Sequence, residues 1–410
     1  MHYLFIYPSP GVLGGIETLI ARMSRWLVAN GHEVSLLAET DGSWSKILPP
    51  EVHYVPLGKR FRELYFYQHA GRLWDSFNLP KPDVIKSFDL PSSWMACQLA
   101  AWIGNGCKVL AGIYNPLVFK WYYSPNNLSR WDDNLLYLRN YLQNIPPNNR
   151  LFCGVDQIEE LGEVHQQQGQ LWPIPIDTRE FDIAERKPKW GKIVSVGRLS
   201  PMKEYNLYMI EAVKELVSRG HDVSWTVYGT GEYKEPMRAA IKTHGLEQRI
   251  TLAGSVPYKQ FWQMLEEAYV FVGMGTSVLE AALFKVPNVN ALAYDREGLT
   301  HGSVCQFPPG SIGPASASPP GLKVVNEIDR ILQLSSSEYD SEQESVHKHV
   351  QVHLIEKSMH RFVELVRAAT HIHHKKAFYH INYPLWFVKK ILRSQKLPAT
   401  HLHPTSEMRT

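Results

Sequence analysis

The sequence predicts an α/β protein made of two units in tandem, each built on a doubly wound parallel sheet. Three observations carry that class. Two series of short apolar runs of strand length alternate with stretches whose apolar residues recur at helical spacing. The first series opens on a strand, a glycine-containing loop, a helix and a second strand, the unit from which such sheets grow. A proline- and charge-rich segment, 168–190, separates the series and reads as a linker. Length agrees, because 410 residues exceed one average core.

Taken in order, YLFIY (3–7) is the first strand and PSPGVLGG the loop after it. Ile16, Leu19, Ile20, Met23 and Leu27 then mark a helix from about Ile16 that closes at Asn30-Gly31. HEVSLLAE (32–39), DVIKSF (83–88) and KVLAGIY (108–114) are the next strands, and in open α/β sheets their carboxyl ends line the ligand crevice. The second series runs GKIVSVGRL (191–199), a helix through Met209, Ile210, Val213, Leu216 and Val217, then DVSWTVYG (222–229). A helix near 233–243, strand ITLAGS (250–255), helix 258–268 and strand YVFVGM (269–274) complete it. Residues 297–322, dense in Gly, Ser and Pro, predict a long surface loop, and a helix is expected near 340–368. The expected divisions are 1–168, a linker 169–190, 191–350, a C-terminal helix 351–370 packing back toward the first unit, and a basic aromatic tail 371–410.

Composition narrows the function classes. The chain is 44% hydrophobic and 20% charged with a net charge of +3, so no nucleic-acid footprint is expected. Its four cysteines lie far apart and form no CxxC pair, which argues against a disulfide framework or a zinc site and suits a reducing compartment. The N-terminus lacks a basic n-region and reads as a strand, not a signal peptide. No apolar run reaches membrane-spanning length, so a cytoplasmic protein is expected, at most bound to a membrane surface.

Four motifs carry chemistry. In VGRLSPMKE, Arg198 and Lys203 follow a strand and precede a helix; a guanidinium fork and an ammonium there would clamp an anion, though two solvated surface charges are an equally good reading. Gly14 and Gly15 open the first helix, where free N–H groups could hold a phosphate or simply form a tight turn. Gly229 and Gly231 in YGTGE read first as a structural turn, whose backbone could lie beside a base. In GMGTSVLEAALFKVP (273–287), Ser277 and Glu280 match a capping box, and in isolation capping is the better reading of Glu280.

The order of these motifs changes that reading. VGRL…K, YGTGE and GMGTSVLEAALFKVP resemble the C-terminal domain of GT-B-fold glycosyltransferases of the family 4 type, retaining enzymes that use nucleotide-diphosphate sugars. PSPGVLGGIETLIARMSRWLVANGHEV resembles their N-terminal glycine loop and first helix, and IPIDTREF (174–181) the start of their linker. The resemblance covers about residues 1–365, is strongest over 191–290, and is absent after about 370. It implies two Rossmann-like domains facing across a cleft and closing about a hinge. By the same resemblance Arg198 and Lys203 would neutralise the donor diphosphate, and Glu280 would accept the ribose hydroxyls. Gly275, Thr276 and Ser277 would offer backbone N–H groups, and Gly15 would reach the diphosphate from the opposite wall. Neither a metal nor a cofactor beyond the donor is implied.

Two departures stand against the family pattern. The usual motif has two glutamates eight apart, and Val272 occupies the first position. Histidines common after the middle N-domain strands are replaced by KSFD (86–89) and GIYNP (112–116), where Lys86, Asp89, Tyr114 and Asn115 are the substitute polar contacts to an acceptor or sugar. Three functions therefore stay open: a transferase acting on a glycan or lipid-linked acceptor in surface polysaccharide or lipopolysaccharide biosynthesis, a catalytically silent nucleotide-sugar or glycan-binding subunit, and a nucleotide-sugar epimerase. HIHHKK (371–376) fits no zinc spacing. The segment beyond it, with Lys389, Lys390 and Arg393 among aromatics, is compatible with peripheral contact at the inner membrane surface, with a docked helix, or with disorder.

Overall fold

The computed structural model describes residues 1–7, 14–39, 44–65, 67–104, 106–114, 145–159, 168–181, 185–313 and 320–371. Asn115 and the tail beyond residue 371 lie outside the described residues. The chain forms two compact units. The first takes Met1–Leu151 and the chain from Glu364 onward, and the second takes Phe152–Val363.

In the first unit, strands β1 (His2–Tyr7), β2 (Glu33–Ala38), β3 (His53–Pro56), β4 (Val84–Ser87) and β5 (Lys108–Ile113) form a sheet in the order β3-β2-β1-β4-β5. Every pairing among them is parallel, with Phe5 opposite both Leu36 and Lys86. Tyr3, Leu4, Phe5 and Ile6 are wholly buried, as near-continuous apolar strands of a sheet covered on both faces should be. Helix α1 (Gly15–Ala29) buries Leu19, Ile20, Met23 and Leu27 on the predicted stripe. The chain then supplies α2 (Trp44–Ile47), α3 (Tyr67–Asp75) and α4 (Leu90–Ile103). Order reverses between β1 and β4: the chain winds outward from β1 to β3 and returns on the other flank of β1. Two short strands follow, β6 (Arg150–Phe152) where the chain passes from the first unit into the second and β7 (Gln170–Leu171) within the second.

The second unit repeats the plan. Strands β8 (Lys192–Val196), β9 (Ser224–Tyr228), β10 (Ile250–Gly254), β11 (Val270–Gly273) and β12 (Asn288–Asn290) lie in the order β10-β9-β8-β11-β12, all parallel. Between them run α5 (Tyr205–Ser218), α6 (Lys234–Thr243), α7 (Phe261–Leu265) and α8 (Thr276–Leu283). Met209, Ile210, Val213, Leu216, Trp225 and Val227 pack in one core cluster, and the Trp225 indole donates to Ser195 Oγ at 2.9 Å. Here too the order reverses, between β8 and β11.

Three expectations are corrected. The 258–268 helix is a 3₁₀ turn, Tyr258–Gln260, followed by the short α7. The 297–322 loop contains β13 (Leu299–Thr300), which pairs antiparallel with β14 (Leu322–Lys323). After α9 (Val324–Leu332), the 340–368 helix is two: α10 (Ser336–His349) and α11 (Ile355–Ala368), broken by a 3₁₀ turn at Val350–His353. The break is anchored, because buried His353 meets the Ile174 carbonyl at 3.0 Å and Leu354 bridges Ile176. Burial pushes the His353 imidazole down to about 4, so it is neutral at ordinary pH. At the far end of α11, Lys108 donates to the Val366 and Arg367 carbonyls at 2.9 and 3.0 Å, and Asn149 bridges the Val109 and Thr370 carbonyls.

Candidate functional site

In open α/β sheets ligands bind beyond the carboxyl ends of the strands, where strand order reverses. In the second unit that place lies between β8 and β11, and loops from β8, β9 and β11 carry the predicted residues. The β8 and β9 loops are laced together: Gly197 N–H donates to the Tyr228 carbonyl and Leu199 N–H to the Thr230 carbonyl, both at 2.9 Å. Such closeness explains the glycines of YGTGE. A β-carbon at Gly229 would lie 1.9 Å from the Gly197 carbonyl oxygen, and one at Gly231 would lie 2.0 Å from that of Leu199. Both have φ of 152°, a backbone region that L side chains rarely adopt. These two glycines therefore set how the β8 and β9 loops approach each other.

The chain past β8 makes a 3₁₀ turn, Pro201–Lys203, that folds the Lys203 side chain back over the strand end. Its ammonium packs against Gly197, where a β-carbon would lie 2.2 Å from Nζ. Burial, and then the neighbouring Arg198 charge, bring the Lys203 ammonium down to about 8. Arg198 is exposed on the same loop. Among the described residues neither cation forms an ion pair. Two like charges held together without a counterion cost stability, and that arrangement is expected where an anion is to be bound.

Beside them α8 begins after Gly275, whose φ is 69° and which has no side-chain cap. A β-carbon at Gly275 would meet nothing within 4 Å, so the helix start opens on free space. The capping-box reading fails: Ser277 Oγ donates to the Met274 carbonyl at 3.3 Å, and Glu280 lies in the second turn of α8, 4% exposed. Thr276 and Ser277 thus carry main-chain N–H groups at a helix end with no side-chain cap. Val272 belongs to the strand before this helix. It sits inside β11, wholly buried opposite Val289, so an acid there would be in the core, and the strand–helix link is only Met274–Gly275.

In the first unit Gly14 is the N-cap of α1, its carbonyl accepting from Thr18 N–H and Oγ1, and Gly15 is the first helical residue. No described atom would lie within 4 Å of a β-carbon on Gly15. Across the reversal from α1, Asp89 proves to be the N-cap of α4: its Oδ1 accepts from Ser92 N–H at 2.7 Å and Ser92 Oγ accepts from Asp89 N–H at 3.0 Å. Burial pushes its carboxyl up to about 6 against the pull of the Ser92 hydrogen bonds. Lys86 departs furthest from expectation. It is 0% exposed, its Nζ donates to the Ser87 carbonyl at 2.9 Å, and it lies 4.8 and 5.0 Å from the ring centroids of Phe88 and Tyr114. Gly112 leaves the room for it, since a β-carbon there would lie 2.4 Å from Nζ. Lys86 therefore supports Tyr114, which is half-buried and stacked on Phe88 at 6.1 Å, and does not itself reach solvent.

Sequence reasoning missed Glu204, Tyr233 and Arg296. Glu204 follows Lys203 directly, is 7% exposed, and its Oε1 accepts from Arg296 Nε at 2.8 Å, Arg296 Nη2 at 2.6 Å and the Tyr233 hydroxyl at 3.0 Å. The Arg296 hydrogen bonds hold the Glu204 carboxyl below its ordinary range despite burial. A Lys-Glu pair at 203–204 is visible in the sequence, but nothing local ties it to an arginine 92 residues on.

Comparison with known proteins agrees in both halves. Residues 177–301 match the family model for glycosyl transferases group 1, and residues 13–145 match that for glycosyltransferase family 4. The GPI3 subunit of phosphatidylinositol N-acetylglucosaminyltransferase from Saccharomyces cerevisiae is 26% identical over 302 residues, which span 68% of this chain and 64% of that protein. Among solved structures, Staphylococcus aureus TarM superposes with a TM-score of 0.64 at 11% identity, covering 89% of this chain and 99% of that one. A glycosyltransferase from Rickettsia africae gives 0.64 at 14%, covering 90% and 98%. Anabaena HepE, solved with UDP and glucose, gives 0.62 at 14%, covering 89% and 99%.

Proposed function

The chain belongs to the GT-B-fold glycosyltransferases of the family 4 type, and from that premise we propose that it moves a sugar from a nucleotide-diphosphate donor to a glycan or lipid-linked acceptor with retention of anomeric configuration. One observation carries the reading: Arg198 and Lys203 stand together, without counterions among the described residues, at the strand-order reversal of the second unit, beside a helix start with no side-chain cap. Breaking the sugar–phosphate bond develops negative charge on the departing diphosphate. Cations fixed in advance at that charge stabilise the transition state more than the ground state. Arg198 and Lys203 do this, the Thr276 and Ser277 amides add partial positive charge, and Glu280 takes the ribose hydroxyls. Protein cations supply the compensation that a divalent metal would otherwise give.

The yeast relative favours N-acetylglucosamine as the sugar and a lipid as the acceptor, although the chain aligns to less than two thirds of that relative's length. A role in surface polysaccharide or lipopolysaccharide assembly fits the same chemistry. Among the described residues no helix is long and apolar enough to cross a membrane, so a lipid acceptor would be met from the membrane surface.

The test is to incubate the full chain with UDP-, GDP- and ADP-sugars, with and without glycan and lipid-linked acceptors, and follow nucleoside diphosphate release. Acceptor-dependent release with one donor class, and a product of unchanged anomeric configuration by NMR, is the expected result. A donor that is bound but never consumed, or one converted to its epimer with no diphosphate released, would overturn it.

A further inference from the structure

Glu204 is a buried acid directly following Lys203, and the mechanism above leaves it without a role. It stands at the N-cap of α5 yet its side chain caps nothing. Instead one carboxylate oxygen gathers three donors, two from the Arg296 guanidinium and one from the Tyr233 hydroxyl. The partners come from separate loops: Glu204 follows β8, Tyr233 follows β9, and Arg296 follows β12. A second link runs beside the first, because Tyr294 N–H donates to the Met202 carbonyl at 3.0 Å. Tyr294 holds φ at 57°, uncommon for a residue with a β-carbon, so the loop after β12 accepts local strain to make this contact. On the inner side Asn206 Nδ2 donates to the Lys203 carbonyl at 3.0 Å.

The Pro201–Lys203 turn is therefore held at the Met202 carbonyl, at the Lys203 carbonyl and at the Glu204 side chain. We infer that Glu204 and Arg296 are positioning residues that fix the Lys203 ammonium where a diphosphate is received. This rests on the reading of Lys203 given above. Arg296 is 77% exposed and would ordinarily contribute little through a surface ion pair. Its two-pronged grip on a buried carboxylate is stronger, and it ties the loop after β12 to the loop after β8. The consequence falls on phosphate recognition, with little effect on global stability.

The experiment compares, by calorimetric titration on the full chain, the best-binding nucleoside diphosphate with the corresponding monophosphate, for the wild type, Arg296→Met, Arg296→Lys, Glu204→Gln, the Arg296→Met/Glu204→Gln double variant and Lys203→Ala. Expected are a diphosphate affinity about tenfold weaker in Arg296→Met and Glu204→Gln, or about 1.4 kcal/mol, with monophosphate affinity and melting temperature unchanged. Arg296→Lys should recover part of the loss, and the double variant should be no worse than the weaker single. Diphosphate affinity equal to wild type in both singles, or a parallel fall for both nucleotides, overturns the inference. Lys203→Ala separates the two levels. If it loses the diphosphate preference while Arg296→Met keeps it, only the positioning role fails. If Lys203→Ala keeps the preference, the reading of Lys203 fails with it.

Discussion

At the residue scale, Lys203 has the most to say. Its ammonium is brought down to about 8 by burial and by Arg198, and anion binding needs the protonated form. The sign follows directly: as pH rises through 8 the free protein loses that proton, so diphosphate affinity falls. Between pH 7 and 9 the apparent Kd should rise about tenfold, because the competent fraction drops by that factor. Lys203→Arg, whose guanidinium stays charged, should remove the slope, and a titration series in pH checks both. A flat profile in the wild type would mean the ammonium is not a ligand contact. That Arg198 and Lys203 sit where a strand hands over to a helix was legible in the sequence. How they are held was not legible, because the Glu204–Arg296 pair closes over a long stretch of chain. Ser277 and Glu280 misled for the opposite reason: their spacing matches a cap, yet both lie inside α8.

At the element scale, the glycine turns decide more than their composition suggests. Gly229 joins the end of β9 to the turn beside β8 at a distance that excludes any β-carbon. Gly229→Ala should cost about 2–4 kcal/mol, combining a forbidden φ with a backbone clash. Gly220→Ala is the control, since Gly220 also has positive φ, at 92°, but a β-carbon there would meet nothing within 4 Å. Chemical denaturation of the two variants measures the difference, and equal losses would remove the close-approach argument. Element types were read well wherever strands are buried on both faces, as in β1, β8 and β11. Boundaries failed where tertiary contacts intervene. The α10–α11 break is set by His353 against Ile174, a partner remote in sequence, and no proline or glycine marks it. The edge strand β3, only partly buried, carried too weak a pattern to be found.

At the scale of the whole molecule, both units reverse strand order after the first strand, and in both the candidate residues flank that reversal. Gly14 and Gly15 stand on one side and Asp89 on the other in the first unit; in the second, Arg198 and Lys203 follow β8 and Gly275, Thr276 and Ser277 follow β11. The tandem plan was legible because parallel strands and their crossover helices leave a repeated apolar signature. Where the units divide was harder to read. The first closes at Leu151 and takes back the chain from Glu364, through Lys108 and Asn149 acting on the end of α11, and such contacts leave no local trace in composition.

The central claim is that two cations of the second unit receive the departing diphosphate. Its most direct measurement is the acceptor-dependent rate of nucleoside diphosphate release by the full chain, compared with Arg198→Ala and Lys203→Ala variants of unchanged melting temperature. Loss of preorganised oxyanion donors predicts a fall of at least about 100-fold in each, on the order of 3 kcal/mol. Turnover at the wild-type rate in both variants would contradict the account.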